Sequence, residues 1–245
     1  MKKRVILVHG DKGGAGKSMV ARALLDLYLE GPQEQRRPVA IIDADTQNTD
    51  VGDARSYGAL IASHRLSLRD EDGWVTLLNV IDQAEASHLV VSLPSGIGKD
   101  LYDHRALFGA LCGTCAVVPL WVLGRTPDSV VLLRECDTVL QSCGIERGVV
   151  AVNTFWGAAE HFRIWNGSAL RKHLLGRGWV EILYPALNDL VVDRIGRKAL
   201  ARAYDAAGQD QLGLGEKTAL GLYRRAAWTA LAVIETLTHP EAAAS

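Results

Sequence analysis

The sequence has no excess of charge, few cysteines, few aromatic residues and no long apolar run. Its 27 basic residues meet 28 acidic ones, a formal net charge of −1 over 245 residues. A chain-wide attraction to nucleic acid or anionic lipid is therefore excluded, and any such contact needs a local patch. No apolar run approaches 18 residues, so no membrane-spanning helix is expected. The opening Lys2-Lys3-Arg4 resembles the start of a secretion signal. The apolar run behind it, Val5-Ile6-Leu7-Val8, is too short and meets His9-Gly10-Asp11, so the chain is expected to stay in the cytoplasm. Its four cysteines read as thiols, not as a disulfide framework. Cys112 and Cys115 form a C-x-x-C, but converging metal ligands usually number four. Small buried side chains are the plainer reading.

What is present is ample core material. Hydrophobic residues make up 48% and charged residues 22%, enough apolar surface to offset the entropy of ordering and to exclude general disorder. Aromatics at 6% beside 24 glycines suit an α/β protein with many tight strand-to-helix turns. Short β-branched runs at 4–9, 39–43, 88–93, 115–122, 148–153 and 179–184 read as strands. Helical periodicity fits 17–30, 101–111, 128–142, 169–177, 193–206 and 216–237. Near-continuous apolar strands joined by helices predict a doubly wound, mostly parallel sheet with helices on both faces. One domain over 1–237 is expected, with a frayed tail at 238–245.

Asp11-Lys12-Gly13-Gly14-Ala15-Gly16-Lys17-Ser18 follows the first strand and opens the first helix, the setting of a phosphate-binding loop. Glycines there let backbone N–H groups turn inward onto phosphate oxygens, and the helix N-terminus adds partial positive charge. Lys17 is the cation for the β- and γ-phosphates, and the Ser18 hydroxyl is a Mg²⁺ ligand. Two carboxylates, Asp43 and Asp45, end the second strand and face the crevice of such a sheet.

Lys12 in K-G-G-x-G-K-[ST] resembles the deviant Walker A motif of the ParA/MinD family of P-loop ATPases. That resemblance implies a dimer with ATP sandwiched between the faces, Lys12 crossing to the partner's nucleotide. It also assigns Gly13, Gly14, Ala15, Gly16, Lys17, Ser18 and Met19 to the nucleotide. Asp43 would support Mg²⁺, and Asp45 the attacking water. Asn153 and the Pro185-Ala186-Leu187 segment would meet the base. The family's Walker B aspartate is Ser92 here, which can hold a water of the Mg²⁺ shell but carries no charge, so slow hydrolysis is expected. Asn153-Thr154-Phe155-Trp156-Gly157-Ala158-Ala159-Glu160-His161 is similar to a segment of the TraL proteins of conjugative-plasmid transfer regions.

The implied function is a Mg-ATP switch in conjugal transfer or DNA/cargo positioning, working with a partner protein. Arg194, Arg197, Lys198 and Arg202, spaced i, i+3, i+4 and i+8, offer one basic face for non-specific DNA or a solvated face. Three alternatives stand beside it. One is a membrane or protein-complex positioning ATPase without DNA binding, although the last helix lacks a basic amphipathic anchor. Another is an iron–sulfur carrier using Cys112 and Cys115. The third is a binding module that does not turn nucleotide over.

Overall fold

The computed structural model describes residues 2–10, 13–45, 51, 57 and 61–237. Strand side chains alternate between two cores. In β1 (Arg4–Gly10), Val5 and Leu7 enter one core, Ile6 and Val8 the other. In β5 (Ala116–Leu123), Val117, Trp121 and Leu123 oppose Val118, Leu120 and Val122 in the same way. Both faces are therefore apolar, as the continuous runs require.

Among the described residues the chain runs β1, α1 (Lys17–Glu30), β2 (Val39–Asp43), β3 (Ser63–Arg65), α2 (Glu71–Gln83) and β4 (His88–Ser92). It continues α3 (Gly98–Asp103), α4 (Arg105–Thr114), β5, α5 (Pro127–Ser142) and β6 (Val149–Asn153). It then runs α6 (Arg163–Asn166), α7 (Ala169–Gly176), β7 (Val180–Tyr184), α8 (Asp189–Ile195), α9 (Leu200–Tyr204) and α10 (Leu214–Leu231). The strand order is β3-β2-β4-β1-β5-β6-β7, every pairing parallel. The expected doubly wound parallel sheet is thus observed. The winding reverses at β1, between β4 and β5, the place where such sheets open a ligand crevice.

Residues of α1, α8, α9 and α10 fill one core, and residues of α2 to α7 the other. Local chemistry sets several boundaries. Gly16 enters α1 in the left-handed region, and Gly31-Pro32 ends it. Asp70 caps α2 by accepting the Gly73 N–H at 2.9 Å. Ser168 does the same for Arg171 at the start of α7.

Three observations depart from the sequence reading. Strand β3 and helix α2 have no counterpart in it. The last helix stops at Leu231 and gives way to a 3-10 turn, Ala232–Thr236. The single helix expected over 193–206 is two short helices, α8 and α9. Gly196 breaks it with φ +51 and ψ −127, a backbone conformation L side chains rarely adopt.

Two polar ties fasten α10 and its following turn to the body. Asp26 of α1, buried, takes a two-pronged ion pair from Arg224 at 2.8 and 3.0 Å and the Trp228 indole N–H at 2.8 Å. At the amino-terminal edge of the sheet, Glu235 accepts from Tyr28 Oη at 2.8 Å and meets His88 Nε2 at 3.3 Å and Arg4 Nε at 3.9 Å. No described helix is long and apolar enough to cross a membrane.

Candidate functional site

The site is built at the carboxyl ends of β1, β2 and β4. Ser92 is in register with Val8 on one side and Asp43 on the other, so three strand ends finish side by side. From β1 the chain turns through glycines into α1. Gly14 (φ +88) and Gly16 (φ +99) take conformations that other residues adopt only with strain. A Cβ on Gly13 or Gly14 would meet nothing within 4 Å, so the loop faces open space.

A cleft of about 570 Å³ lies against this turn. Gly13, Gly14, Gly16, Lys17, Ser18, Met19, Asp45 and Ser92 line it. These eight residues, all singled out from sequence, are thereby brought together. Lys17 is largely buried, and its ammonium donates to Ser95 Oγ at 2.9 Å. Asp43, 1% exposed, sits beneath Asp45 and accepts its backbone N–H at 3.2 Å. Lys12 and the Thr46-Gln47-Asn48 segment lie outside the described residues.

Other expected residues stand elsewhere. Ala15 is buried behind the loop, where its carbonyl accepts Asn153 Nδ2 at 2.8 Å. Asn153 Oδ1 accepts the Phe155 N–H at 3.1 Å. Asn153 therefore holds the loop from behind, so closely that a Cβ on Gly16 would fall 2.4 Å from Nδ2. Leu187 is packed in the α1–α10 core, and Pro185 is half-buried beside it; neither lines the cleft.

The single helix expected to carry Arg194, Arg197, Lys198 and Arg202 is broken at Gly196, so Arg194 stands on α8, Arg197 and Lys198 on the connection and Arg202 on α9. Arg194 donates to the Gln209 and Gln211 carbonyls, and Lys198 pairs with Asp210 at 2.9 Å. Arg197 lines the cleft.

Sequence reasoning missed several residues here. Val192 and Asp193 of α8, with Gly196 and Arg197 just after it, form a wall of the cleft, and Arg22 joins them from α1; of these only Arg197 had been singled out, for a different role. Ser95, the rest of Lys17, follows β4 in a Pro-Ser-Gly turn, the one signal that marked it. His9 is the next-to-last residue of β1, close before the loop. It is buried edge-on against Trp121 with ring centres 4.5 Å apart, and its Nδ1 finds no hydrogen-bond partner among the described residues. Burial, then the nearby Lys17 charge, lower its pKa to about 3. Neutral at physiological pH, His9 adds no second cation beside Lys17.

A hollow of about 620 Å³ opens at the opposite edge of the sheet, beside Lys2, Lys3, Leu78, Leu111 and Cys115. Its lysines cap helix ends: Lys3 donates to the Ile81 and Asp82 carbonyls, and Lys2 to that of Gly113. Its lining residues include no glycine loop and no carboxylate pair, so the smaller cleft is the chemical one. Cys112 and Cys115 lie at this far edge, and burial pushes the Cys112 thiol up to about 12. Among the described residues no group of three or more His, Cys, Asp or Glu could hold a metal ion.

No family model matches the chain. Protein MobD of Acidithiobacillus ferrooxidans is 30% identical over 229 residues, 93% of this chain and 96% of MobD. Among solved structures, the ATP complex of a Cyanothece McdA variant superposes with a TM-score of 0.56 at 11% identity, covering 98% of each chain. A plasmid partition protein from Borrelia burgdorferi gives 0.47 at 14% identity, over 77% of this chain and 93% of that one. The McdA likeness concerns the fold alone; kinship rests on the MobD identity, which runs along nearly the whole of both chains. With its glycine loop, strand-end carboxylates and parallel sheet, the chain belongs to the MobD family, built on the ParA/MinD-type P-loop fold.

Proposed function

We propose that this protein is a Mg-ATP-binding, slowly hydrolysing switch that dimerises on nucleotide and serves conjugal transfer or DNA/cargo positioning. The observation that carries the reading is the cleft in which Gly13, Gly14, Gly16, Lys17, Ser18, Asp45 and Ser92 converge. The residues present fit a nucleotide triphosphate with its metal. Gly13 and Gly14 leave open space, Gly14 and Gly16 turn the backbone for amide donation, and the cleft pairs the buried Lys17 with the Ser18 and Ser92 hydroxyls and the Asp45 carboxylate, Asp43 lying buried beneath. The conjugation setting rests on the resemblance of residues 153–161 to the TraL segment.

In this reading the loop amides and Lys17 would hold the phosphates, and Ser18 with Asp43 would hold Mg²⁺. Bound there, the metal supplies Lewis-acid polarisation of phosphoryl oxygens. Lys17 offsets negative charge that grows in the transition state, from a position already desolvated. Asp45 faces the cleft from the β2 end, and its carboxylate orients a water or accepts its proton. Ser92 occupies the row between Asp43 and Val8 with a neutral hydroxyl, so one negative charge near the metal is missing. That deficit supports slow turnover.

Positioning of a protein cargo without DNA is a second reading, and the fate of the basic residues favours it. Arg194 and Lys198 are engaged within the fold, which leaves less of a cationic face than the sequence offered. Cosedimentation with duplex DNA at about 50 and 200 mM salt separates the two, since phosphate contacts weaken steeply over that range.

Lys17→Ala tests the main reading. At 100 times Kd, a ligand bound only by the folded state adds about 2.7 kcal/mol. For a chain of this size that raises the melting temperature by roughly 5–10 °C. Wild type should show the shift with Mg-ATP, and Lys17→Ala should lose it. A wild type that neither shifts nor gives binding heat with ATP or ADP would exclude the reading.

A further inference from the structure

Arg22 lies five residues beyond Lys17 on α1 and is 6% exposed. Its guanidinium donates to two backbone carbonyls: Nη1 to Gly196 at 2.9 Å and Nη2 to Lys198. Its Nε has no hydrogen-bond partner among the described residues. Burying a guanidinium against carbonyls, with no carboxylate among the described residues to pair it, is expensive. A leucine or methionine would fill the space more cheaply, so the charge calls for a reason beyond packing.

The carbonyls it holds belong to the elbow between α8 and α9. This elbow contributes Val192, Asp193, Gly196 and Arg197 to the cleft, and Arg22 lines the same cleft. The P-loop is the other wall. Arg22 thus ties the two walls together through one buried side chain, from the helix that the P-loop opens. The tie depends on the Gly196 backbone, whose φ of +51 and ψ of −127 aim its carbonyl at Arg22. A Cβ there would meet nothing within 4 Å, so glycine is required by conformation and not by crowding.

We propose that Arg22 is a positioning residue that fixes the α8–α9 elbow against the P-loop helix, so that the elbow grips the nucleoside end of a nucleotide whose phosphates the P-loop holds. This rests on the nucleotide reading above. It predicts that nucleoside affinity and phosphate affinity come apart when Arg22 is changed. It also makes Arg197, first met as part of a basic surface, a cation of the nucleotide cleft.

The test measures ADP and inorganic triphosphate binding by calorimetry, and amide hydrogen exchange over residues 192–204 with and without ADP. In wild type, ADP should slow exchange in the elbow. Arg22→Met should weaken ADP about tenfold or more, as expected for losing charge-assisted hydrogen bonds, while triphosphate affinity changes less than threefold. Arg22→Lys should not restore ADP binding, because a single ammonium lacks the planar fork that spans both carbonyls. Gly196→Ala keeps the buried charge and should reproduce the ADP defect, even if Arg22→Met does not fold. Wild-type ADP affinity in Gly196→Ala, or elbow exchange indifferent to ADP in wild type, overturns the proposal and leaves the P-loop reading standing. Wild type that binds neither ADP nor triphosphate overturns both.

Discussion

At the scale of single residues, the cleft shows how far identity alone carries. Lys17, Ser18, Asp43, Asp45 and Ser92 were legible because a strand, a glycine turn and a helix in sequence leave little freedom in where their ends point. Asn153 was legible as a strand-end polar residue, but its contact with Ala15 was not, since it joins positions 138 residues apart. Its amide satisfies one loop carbonyl and one backbone N–H. Asn153→Ala strands both groups, a cost of about 1–3 kcal/mol for each buried one, and loosens the loop that leads into Lys17. Affinity for ATP and for inorganic triphosphate should therefore fall together, by roughly tenfold in each case. A contact made to adenine would lower ATP affinity alone, so calorimetry with the two ligands distinguishes brace from base contact.

At the scale of elements, the long apolar strands were predictable and the short or polar ones were not. Val39–Asp43 matches its expected boundaries to the residue, because five apolar and strand-end residues sit between clear breaks. Strand β3, Ser63-His64-Arg65, is a three-residue edge with no apolar pattern to read. The elbow was hidden for another reason: a lone glycine inside helical periodicity is usually tolerated, and only tertiary hydrogen bonds reveal a break. The turn after α10 has a pH signature of its own. Burial would raise the pKa of Glu235, but hydrogen bonds from His88 and Tyr28 and the Arg4 charge outweigh it and bring it down to about 2. A lowered carboxylate stabilises the fold above its unfolded pKa of about 4.3, and that contribution fades as pH falls toward 2. Glu235→Gln should thus melt below wild type at pH 7. The gap should close between pH 5 and 2; a gap independent of pH would mean the carboxylate's charge is not what holds the turn.

At the scale of the whole molecule, the proposed switch requires two copies. Two nucleotides facing each other concentrate negative charge, and cations from both subunits must offset it. In the ParA/MinD resemblance Lys12 does this reciprocally across a two-fold axis. Lys12→Ala should keep much of the ATP affinity, which Lys17 and the loop amides supply, and lose ATP-dependent dimerisation in light scattering. Equal dimerisation of variant and wild type would remove the switch from the proposal. The fold also brings sequence-distant segments together. Arg4, on the central strand, donates to the carbonyls of Ile234 and Leu237, so the first strand and the last described turn touch. Residues 4 and 237 are therefore close in space. A linker of a few residues, at about 3.3 Å each, could join these two points, and the chain could instead be opened at the exposed Glu146-Arg147 turn before β6 with every strand still in its place. The order in which the strands are synthesised is, for this architecture, separable from the order in which they lie.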